Sequence, residues 1–150
     1  MKKGFIVVLA VLFIGLPVFA GTTISTTLQA TVGADLNITT TIPGTKAIDP
    51  TLTSAALGAV TISSNVASWK ITVHSANGGK MVRAGGGDYP YLFSWAATTG
   101  IDLATDYEIL KTAPQAATTY NLAITYQTAA TLGLSAGVYE DTLTITLATM

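Results

Sequence analysis

Apolar and polar residues alternate with a period of two along most of this chain. Trp69, Ile71 and Val73 fall on one side of an extended chain and are separated by polar residues. No long segment carries the helical period, and turn signals such as Asn77-Gly78-Gly79 separate the alternating runs. The pattern predicts an all-β fold, an antiparallel β-sandwich of about seven to nine strands.

The alternating runs define nine candidate strands. They are 22–32, 35–42, 57–63, 68–75, 80–84, 90–96, 106–111, 118–127 and 138–148. A short helical turn is expected over Ala129–Ser135, and no linker divides the chain into two domains.

Residues 1–20 have the composition of an export signal. Lys2 and Lys3 form a basic start, Phe5–Ile14 is an unbroken apolar run, and Pro17 breaks the helix shortly before its end. We therefore predict an N-terminal signal helix over these residues.

The signal is expected to be cleaved between Ala20 and Gly21. An uncleaved membrane anchor is the alternative, but the apolar stretch Phe5–Ala20 is shorter than the ~20 residues of a spanning helix. Cleavage leaves one mature domain, 21–150, with no membrane segment. Its predicted location is the periplasm, the cell surface or the extracellular space.

Charge and cysteine content restrict the partners of the mature chain. Lys2 and Lys3 are two of the seven basic residues, so the mature chain carries five against eight acidic ones. This balance argues against binding to a nucleic-acid backbone. The chain has no cysteine, which excludes disulfides and lipid attachment at the signal. Its 26 threonines suit the pleated surface of a β-protein.

No combination of residues in the sequence indicates catalysis. His74 is the only histidine, and Ser75 points to the opposite face of the same predicted strand. Gly78-Gly79-Lys80 lacks the hydroxyl residue of a phosphate-binding loop. Calcium is an alternative to simple solvation for the acidic residues Asp102, Asp106, Glu108, Glu140 and Asp141, but they lack the EF-hand pattern. We predict no enzyme activity, no cofactor and no metal site.

Four aromatic residues form the sharpest local pattern, and it has two interpretations. Tyr89, Tyr91, Phe93 and Trp95 share one face of the run "DYPYLFSWA" when it is extended. They either line the core, where aromatic side chains bury large areas, or form an exposed stripe that stacks sugar rings. The core interpretation is favoured.

The mature chain opens with an alternating segment. Ile24, Thr26, Leu28, Ala30 and Val32 fall on one side of an extended chain. The segment either completes its own domain or is donated to a neighbouring copy. In the second case these five residues form the strand-donor interface.

The end of the chain, "SAGVYEDTLTITLAT", resembles the closing strand of secreted bacterial β-sandwiches of the spore coat protein U and fimbrial-subunit type. "LQATVGADLNI" and "LGAVTISS…SWKITVHSANGGKM" are similar in style to the same group, although the chain lacks the cysteine pair that many members carry. The resemblance implies an immunoglobulin-like or pilin-like sandwich. It also implies that an N-terminal segment fills a groove in the next subunit, with Ile24, Leu28 and Val32 in its pockets.

The sequence and the resemblance thus predict a secreted structural or adhesive surface subunit, and assembly by strand complementation is one of the two open interpretations of its first segment. Its expected partners are copies of itself or another envelope protein. The alternative is a secreted carbohydrate- or protein-binding module that uses the aromatic stripe.

Overall fold

The computed structural model of the protein describes residues 27–150. The predicted signal helix and four residues named above lie outside this range: Ala20, Gly21, Ile24 and Thr26. Val32–Met150 form one compact unit.

The described part of the chain contains ten strands and one short helix. They are β1 (Leu36–Thr40), β2 (Ser54–Ser64), β3 (Trp69–Ser75), β4 (Lys80–Arg83), β5 (Asp88–Trp95), β6 (Thr98–Ile101), β7 (Tyr107–Lys111), β8 (Gln115–Tyr126), α1 (Ala129–Leu132), β9 (Tyr139–Glu140) and β10 (Leu143–Thr149). All strand pairs are antiparallel, so the predicted all-β antiparallel class is confirmed, with one strand more than expected.

Seven strands form a large sheet in the order β1-β2-β8-β5-β4-β9, with β6 paired to β5. This sheet curls into a half-barrel. The other three strands form a small sheet in the order β10-β3-β7. β1 therefore ends one side of the large sheet, and β10 and β7 are the two edges of the small one.

The inward faces of both sheets share one hydrophobic core. Trp69, Ile71 and Val73 of β3 are fully buried, as the alternation predicts, and they join Ile62 and Phe93 of the large sheet. The indole Nε1 of Trp69 donates a hydrogen bond to the carbonyl of Ala113 at 3.1 Å, so this large side chain is buried without an unpaired polar atom.

The predicted strand 138–148 is in fact two strands in different sheets. β9 pairs with β4 of the large sheet, whereas β10 pairs with β3 of the small sheet. The break falls at Asp141 and Thr142, where the backbone N–H of Ala76 donates to the carbonyl of Thr142 at 3.0 Å. The chain thus crosses from one sheet to the other at this point.

The predicted strand 22–32 is not a strand over its described part. Residues 27–35 belong to no helix or strand. The short strand Thr98–Ile101 was not expected from sequence. The predicted turn at 129–135 contains α1, which is capped by the Thr128 hydroxyl and ends at Gly133. No helix within residues 27–150 is long and apolar enough to cross a membrane.

Candidate functional site

A cavity of about 700 Å³ lies between the segment that follows β1 and the segment that leads into β10. One wall is the loop from Ile42 to Pro50, and the opposite wall is the segment from Gly137 to Leu143. Its floor is the core face of the large sheet. This volume falls within the range typical of small-molecule sites, about 300–1,000 Å³.

The floor of the cavity is apolar and comes from four neighbouring strands. Its side chains are Leu57 of β2, Ile124 of β8, Tyr89 and Tyr91 of β5, and Met81 of β4. All five are buried as residues. They lie side by side because β2, β8, β5 and β4 are consecutive in the sheet.

The tyrosine hydroxyls of the floor are already hydrogen-bonded within the protein. Tyr89 donates to the carbonyl of Gln127 at 2.8 Å, and Tyr91 donates to the carboxylate of Asp141. Tyr89 also meets the ring of Tyr126 edge to face, with ring centroids 5.6 Å apart. The floor therefore presents aromatic and aliphatic surface to an occupant rather than free polar groups.

Asp141 fixes the end of one wall by accepting four hydrogen bonds. The Ser75 hydroxyl donates to Oδ2 at 2.6 Å, and Tyr91 donates to the same oxygen. The backbone N–H groups of Asn77 and Thr142 donate to Oδ1 at 3.0 and 2.8 Å. These bonds use the lone pairs of the carboxylate and tie the chain crossing to β3 and β5.

The burial and hydrogen bonding of Tyr91 also change the pKa of its phenol. Burial, and then the hydrogen bond to the Asp141 carboxylate, raise the pKa of the Tyr91 phenol well above its ordinary value. Tyr91 is therefore a neutral donor over the whole physiological range.

Arg83 holds the beginning of the wall that runs from Gly137 to Leu143. Its Nη1 donates to the carbonyl of Ala136 at 2.9 Å and its Nε donates to the carbonyl of Gly86 at 2.9 Å. Tyr139 continues the wall, and its hydroxyl donates to the carbonyl of Ser135 at 3.0 Å. Gly137 passes so close to Arg83 that an added Cβ would lie 2.3 Å from its Cδ.

The opposite wall is anchored at its end, near α1. Tyr126 donates to the carbonyl of Asp49 at 3.1 Å, and Ala129 donates its backbone N–H to the carbonyl of Pro50 at 2.9 Å. Hydrogen bonds from the side chain and then the backbone of Thr51 lower the pKa of Asp49. Ile42 and Ile48 of this wall pack against the core cluster.

The aromatic residues of β5 belong to the core. Tyr89, Tyr91, Phe93 and Trp95 are all buried, so they do not form the exposed stripe of the alternative interpretation. The exposed side of β5 carries Leu92 instead. Tyr89 and Tyr91 nevertheless reach the cavity, which the sequence pattern did not indicate.

The predicted donor residues that the structure describes belong to no strand. Leu28, Ala30 and Val32 lie in the strand-free segment 27–35 and are exposed, with Leu28 91% and Val32 81% accessible.

His74 and Ser75 lie on opposite faces of β3. His74 Nδ1 lies 2.7 Å from Asp106 Oδ1 on the surface, while Ser75 is buried on the opposite face and bonded to Asp141. Glu108 pairs with Lys70 on the same outer face. Within residues 27–150 there is no group of three or more histidine or acidic residues placed to hold a metal ion.

Sequence reasoning missed the roles of Asp141 and Arg83. Each has a partner far away in the chain: Ser75 is 66 residues from Asp141, and Ala136 is 53 residues from Arg83. The one local signal was the dipeptide Asp141-Thr142 in an otherwise alternating run, which breaks the strand. No protein-family model matches the chain, and a search of curated proteins finds no match either.

Proposed function

We propose that the protein is an exported structural or adhesive surface subunit with a pilin-like, immunoglobulin-like sandwich. It assembles with copies of itself, each copy lending its N-terminal segment as a strand to the next. The cavity with its apolar floor, bounded by the segment that leads into β10, is the observation that carries this proposal.

The cavity suits alternating aliphatic side chains. Its floor offers Leu57, Met81 and Ile124, and the hydroxyls of Tyr89 and Tyr91 are already satisfied. A donor that brings only apolar side chains therefore leaves no tyrosine hydroxyl of the floor unpaired. Burying one Leu, Ile or Val side chain contributes about 1.5–3 kcal/mol, so three give a substantial gain against the cost of association.

The neighbouring strand β10 is hydrogen-bonded to another strand on one side only, and β1 lies close to part of it. β10 is a terminal strand of the small sheet, and Leu143–Thr149 contains no charged residue and no proline. β7, the other edge of that sheet, carries Glu108 and Lys111. Charged side chains are a common protection of sheet edges, so β10 is the less protected of the two.

The proposed donor has the matching chemistry. Residues 21–34 contain no charged residue, and Ile24, Leu28 and Val32 recur every fourth position on one side of an extended chain. Extended segments that add to a sheet edge gain affinity from main-chain hydrogen bonds and selectivity from alternate side chains. Leu28 and Val32 are both exposed in the single chain.

The proposal assigns the protein no catalytic role. Its support is the arrangement of the one histidine, which faces solvent with Asp106, away from the buried hydroxyl of Ser75. Export is supported by the sequence of residues 1–20.

Two double variants of the full mature chain test the proposal. Leu28→Asp with Val32→Asp puts charge on the proposed inward side, whereas Gln29→Asp with Thr31→Asp puts the same charge on the other side. We expect the mass in solution to fall to that of a monomer only for the first variant. Equal effects of the two variants, or a wild-type protein that is monomeric at every concentration, would count against strand donation.

A further inference from the structure

A glycosylation triplet lies on β1, apart from the cavity floor. Asn37-Ile38-Thr39 is the pattern at which an oligosaccharide is attached to an asparagine side chain in exported proteins. No other asparagine of the sequence is followed two residues later by serine or threonine. Such a triplet arises easily by chance in a threonine-rich chain, so its place in the fold decides what it means.

β1 turns the two polar side chains of the triplet outward. Asn37 lies opposite Ser63 of β2, whereas Ile38 lies opposite the fully buried Ile62. Side chains alternate along a strand, so Thr39 shares the outer face with Asn37, and both are exposed. They are about 6.6–6.8 Å apart along the strand, so one enzyme site can contact the carboxamide and the hydroxyl together.

The carboxamide of Asn37 is available for reaction. It is exposed, and no hydrogen bond joins it to another protein group within residues 27–150. Asn65 and Asn77, by contrast, donate from their carboxamides to the carbonyls of Gly33 at 2.7 Å and Glu140 at 3.1 Å. A sugar on Asn37 therefore breaks no hydrogen bond of the described fold and stays outside the core.

Asp35 adds a charge to the same face of the chain. Its backbone continues the pairing of β1 with β2, because its N–H donates to Oδ1 of Asn65 at 2.6 Å and its carbonyl accepts from the backbone N–H of Asn65 at 3.1 Å. In an extended chain its exposed side chain falls on the side of Asn37 and Thr39. An enzyme that binds this face thus meets a carboxylate, a carboxamide and a hydroxyl in a row.

The backbone of the triplet is accessible as well. β1 is a terminal strand of the large sheet and is hydrogen-bonded to β2 alone, although β10 approaches part of it. A central strand such as β8 has hydrogen-bonded neighbours on both sides. An enzyme that takes an extended acceptor segment therefore finds β1 easier to reach.

We propose that Asn37 is an N-glycosylation site that a transferase recognises together with Asp35 and Thr39. The sugar donor is an oligosaccharide linked to a polyprenyl diphosphate. Nδ2 of Asn37 forms a bond to the anomeric carbon, and the bond from that carbon to the diphosphate oxygen breaks. The electron pair leaves with the diphosphate, and the nitrogen loses one proton to a base of the transferase. The proposal rests on the export part of the proposed function and not on strand donation.

Mass spectrometry of the protein from the cells that produce it gives the first test. Trypsin releases residues 21–46 of the mature chain as one peptide, in which Asn37 is the only asparagine. We expect this peptide to carry one oligosaccharide, with fragment ions that place it on Asn37. A glycan-free peptide that starts at Gly21 overturns this proposal and leaves export standing. A glycan-free peptide that starts at Gly4, after Lys3, contradicts both.

Variants produced together with an oligosaccharyltransferase and its polyprenyl-linked donor locate the recognised groups. Asn37→Gln and Thr39→Val should abolish the modification. Asp35→Asn, which keeps the shape of the side chain, should lower its yield about tenfold through loss of one charged contact. The control is Ala67→Thr in the Asn37→Gln chain, which creates a triplet at Asn65 with no acidic residue two positions earlier. Because the carboxamide of Asn65 is hydrogen-bonded at both ends, it should stay unmodified.

An exported wild-type chain that stays unmodified in both experiments would overturn the proposal. Full modification after Asp35→Asn would contradict the recognition of Asp35. Modification at Asn65 as complete as that at Asn37 would contradict the selection of Asn37 by its place on β1.

Discussion

The hydroxyl of Tyr91 on β5 donates a hydrogen bond to the carboxylate of Asp141, fifty residues later, at the point where the chain leaves the large sheet. Ser75, at the end of β3, donates to the same oxygen. One carboxylate thus joins a strand of each sheet to the crossing between β9 and β10. This junction holds the cavity wall formed by the segment from Gly137 to Leu143 in its position.

Tyr91→Phe removes one of the four donors of Asp141 and leaves the ring in place. We expect a loss of about 1.5–2 kcal/mol in the free energy of unfolding, the lower part of the range for a hydrogen bond to a charged group, because three other donors remain. Urea unfolding of the mature protein measures it. Tyr107→Phe is the control, because no hydrogen bond of the Tyr107 hydroxyl occurs among the described residues, and its effect should stay within about 0.5 kcal/mol.

Asp141→Asn should destabilise the protein more than Tyr91→Phe does. The amide nitrogen of Asn cannot accept, so at least one pair of donors loses its partner, and the remaining bonds lose their charge assistance. The expected loss is about 2–3 kcal/mol. Glu140→Gln, one residue earlier and exposed, is the matched control, and similar losses for the two variants would show that the junction does not depend on Asp141.

Because the protein buries several tyrosines, we expect its free energy of unfolding to fall at alkaline pH. Burial is the main cause that raises the pKa of Tyr89, Tyr91 and Tyr126. Below about pH 10 these phenols are protonated in both states, and above it the unfolded chain loses its protons first. Stability should therefore be complete below about pH 10 and fall as pH rises, by up to about 1.4 kcal/mol per pH unit for each such tyrosine.

Phenolate absorbance, recorded alongside unfolding, checks this alkaline effect. Of the six tyrosines, the buried Tyr89, Tyr91 and Tyr126 should ionise only when the protein unfolds. Tyr91→Phe should make the loss of stability with pH less steep. Ionisation of all six tyrosines in the still-folded protein near their ordinary pKa would contradict the account.

Gly137→Ala should disturb the wall that Arg83 holds. The residue has φ 154°, and a Cβ would lie 2.3 Å from Cδ of Arg83, so the side chain must move and strain remains. We expect a loss of about 1–3 kcal/mol in thermal or urea unfolding. Gly44→Ala, on the opposite wall with open space around its Cβ, should change stability by less than about 0.5 kcal/mol.

Local pattern predicted the strands better than it predicted their partners. The phase of Trp69, Ile71 and Val73 identified the buried face of β3, because alternation is a property of the strand itself. Pairing is set by distant residues. The run 138–148 therefore looked like one strand although Asp141 divides it between two sheets, and 22–32 looked like a strand although its described part pairs with none.

The candidate cavity was even less visible in the sequence. Its floor combines side chains of β2, β4, β5 and β8, which are adjacent only in the folded sheet. The aromatic pattern of Tyr89 and Tyr91 indicated burial. It gave no sign that part of the core face of the large sheet lines a cavity instead of packing against the small sheet. Thr98–Ile101 was missed because its four residues contain a single large apolar side chain.

Cross-linking between two labelled copies tests strand donation most directly, since the chain has no cysteine of its own. Val32→Cys and Val138→Cys place one thiol on the proposed donor and one on the cavity wall, both at exposed positions. Leu110→Cys, exposed on the charged edge β7, is the control acceptor. When the Val32→Cys and Val138→Cys proteins are mixed and oxidised, they should form a disulfide-linked heterodimer. Added wild-type protein should compete and lower its yield. A Val32–Leu110 heterodimer in equal yield, or no heterodimer with Val138, would contradict the account.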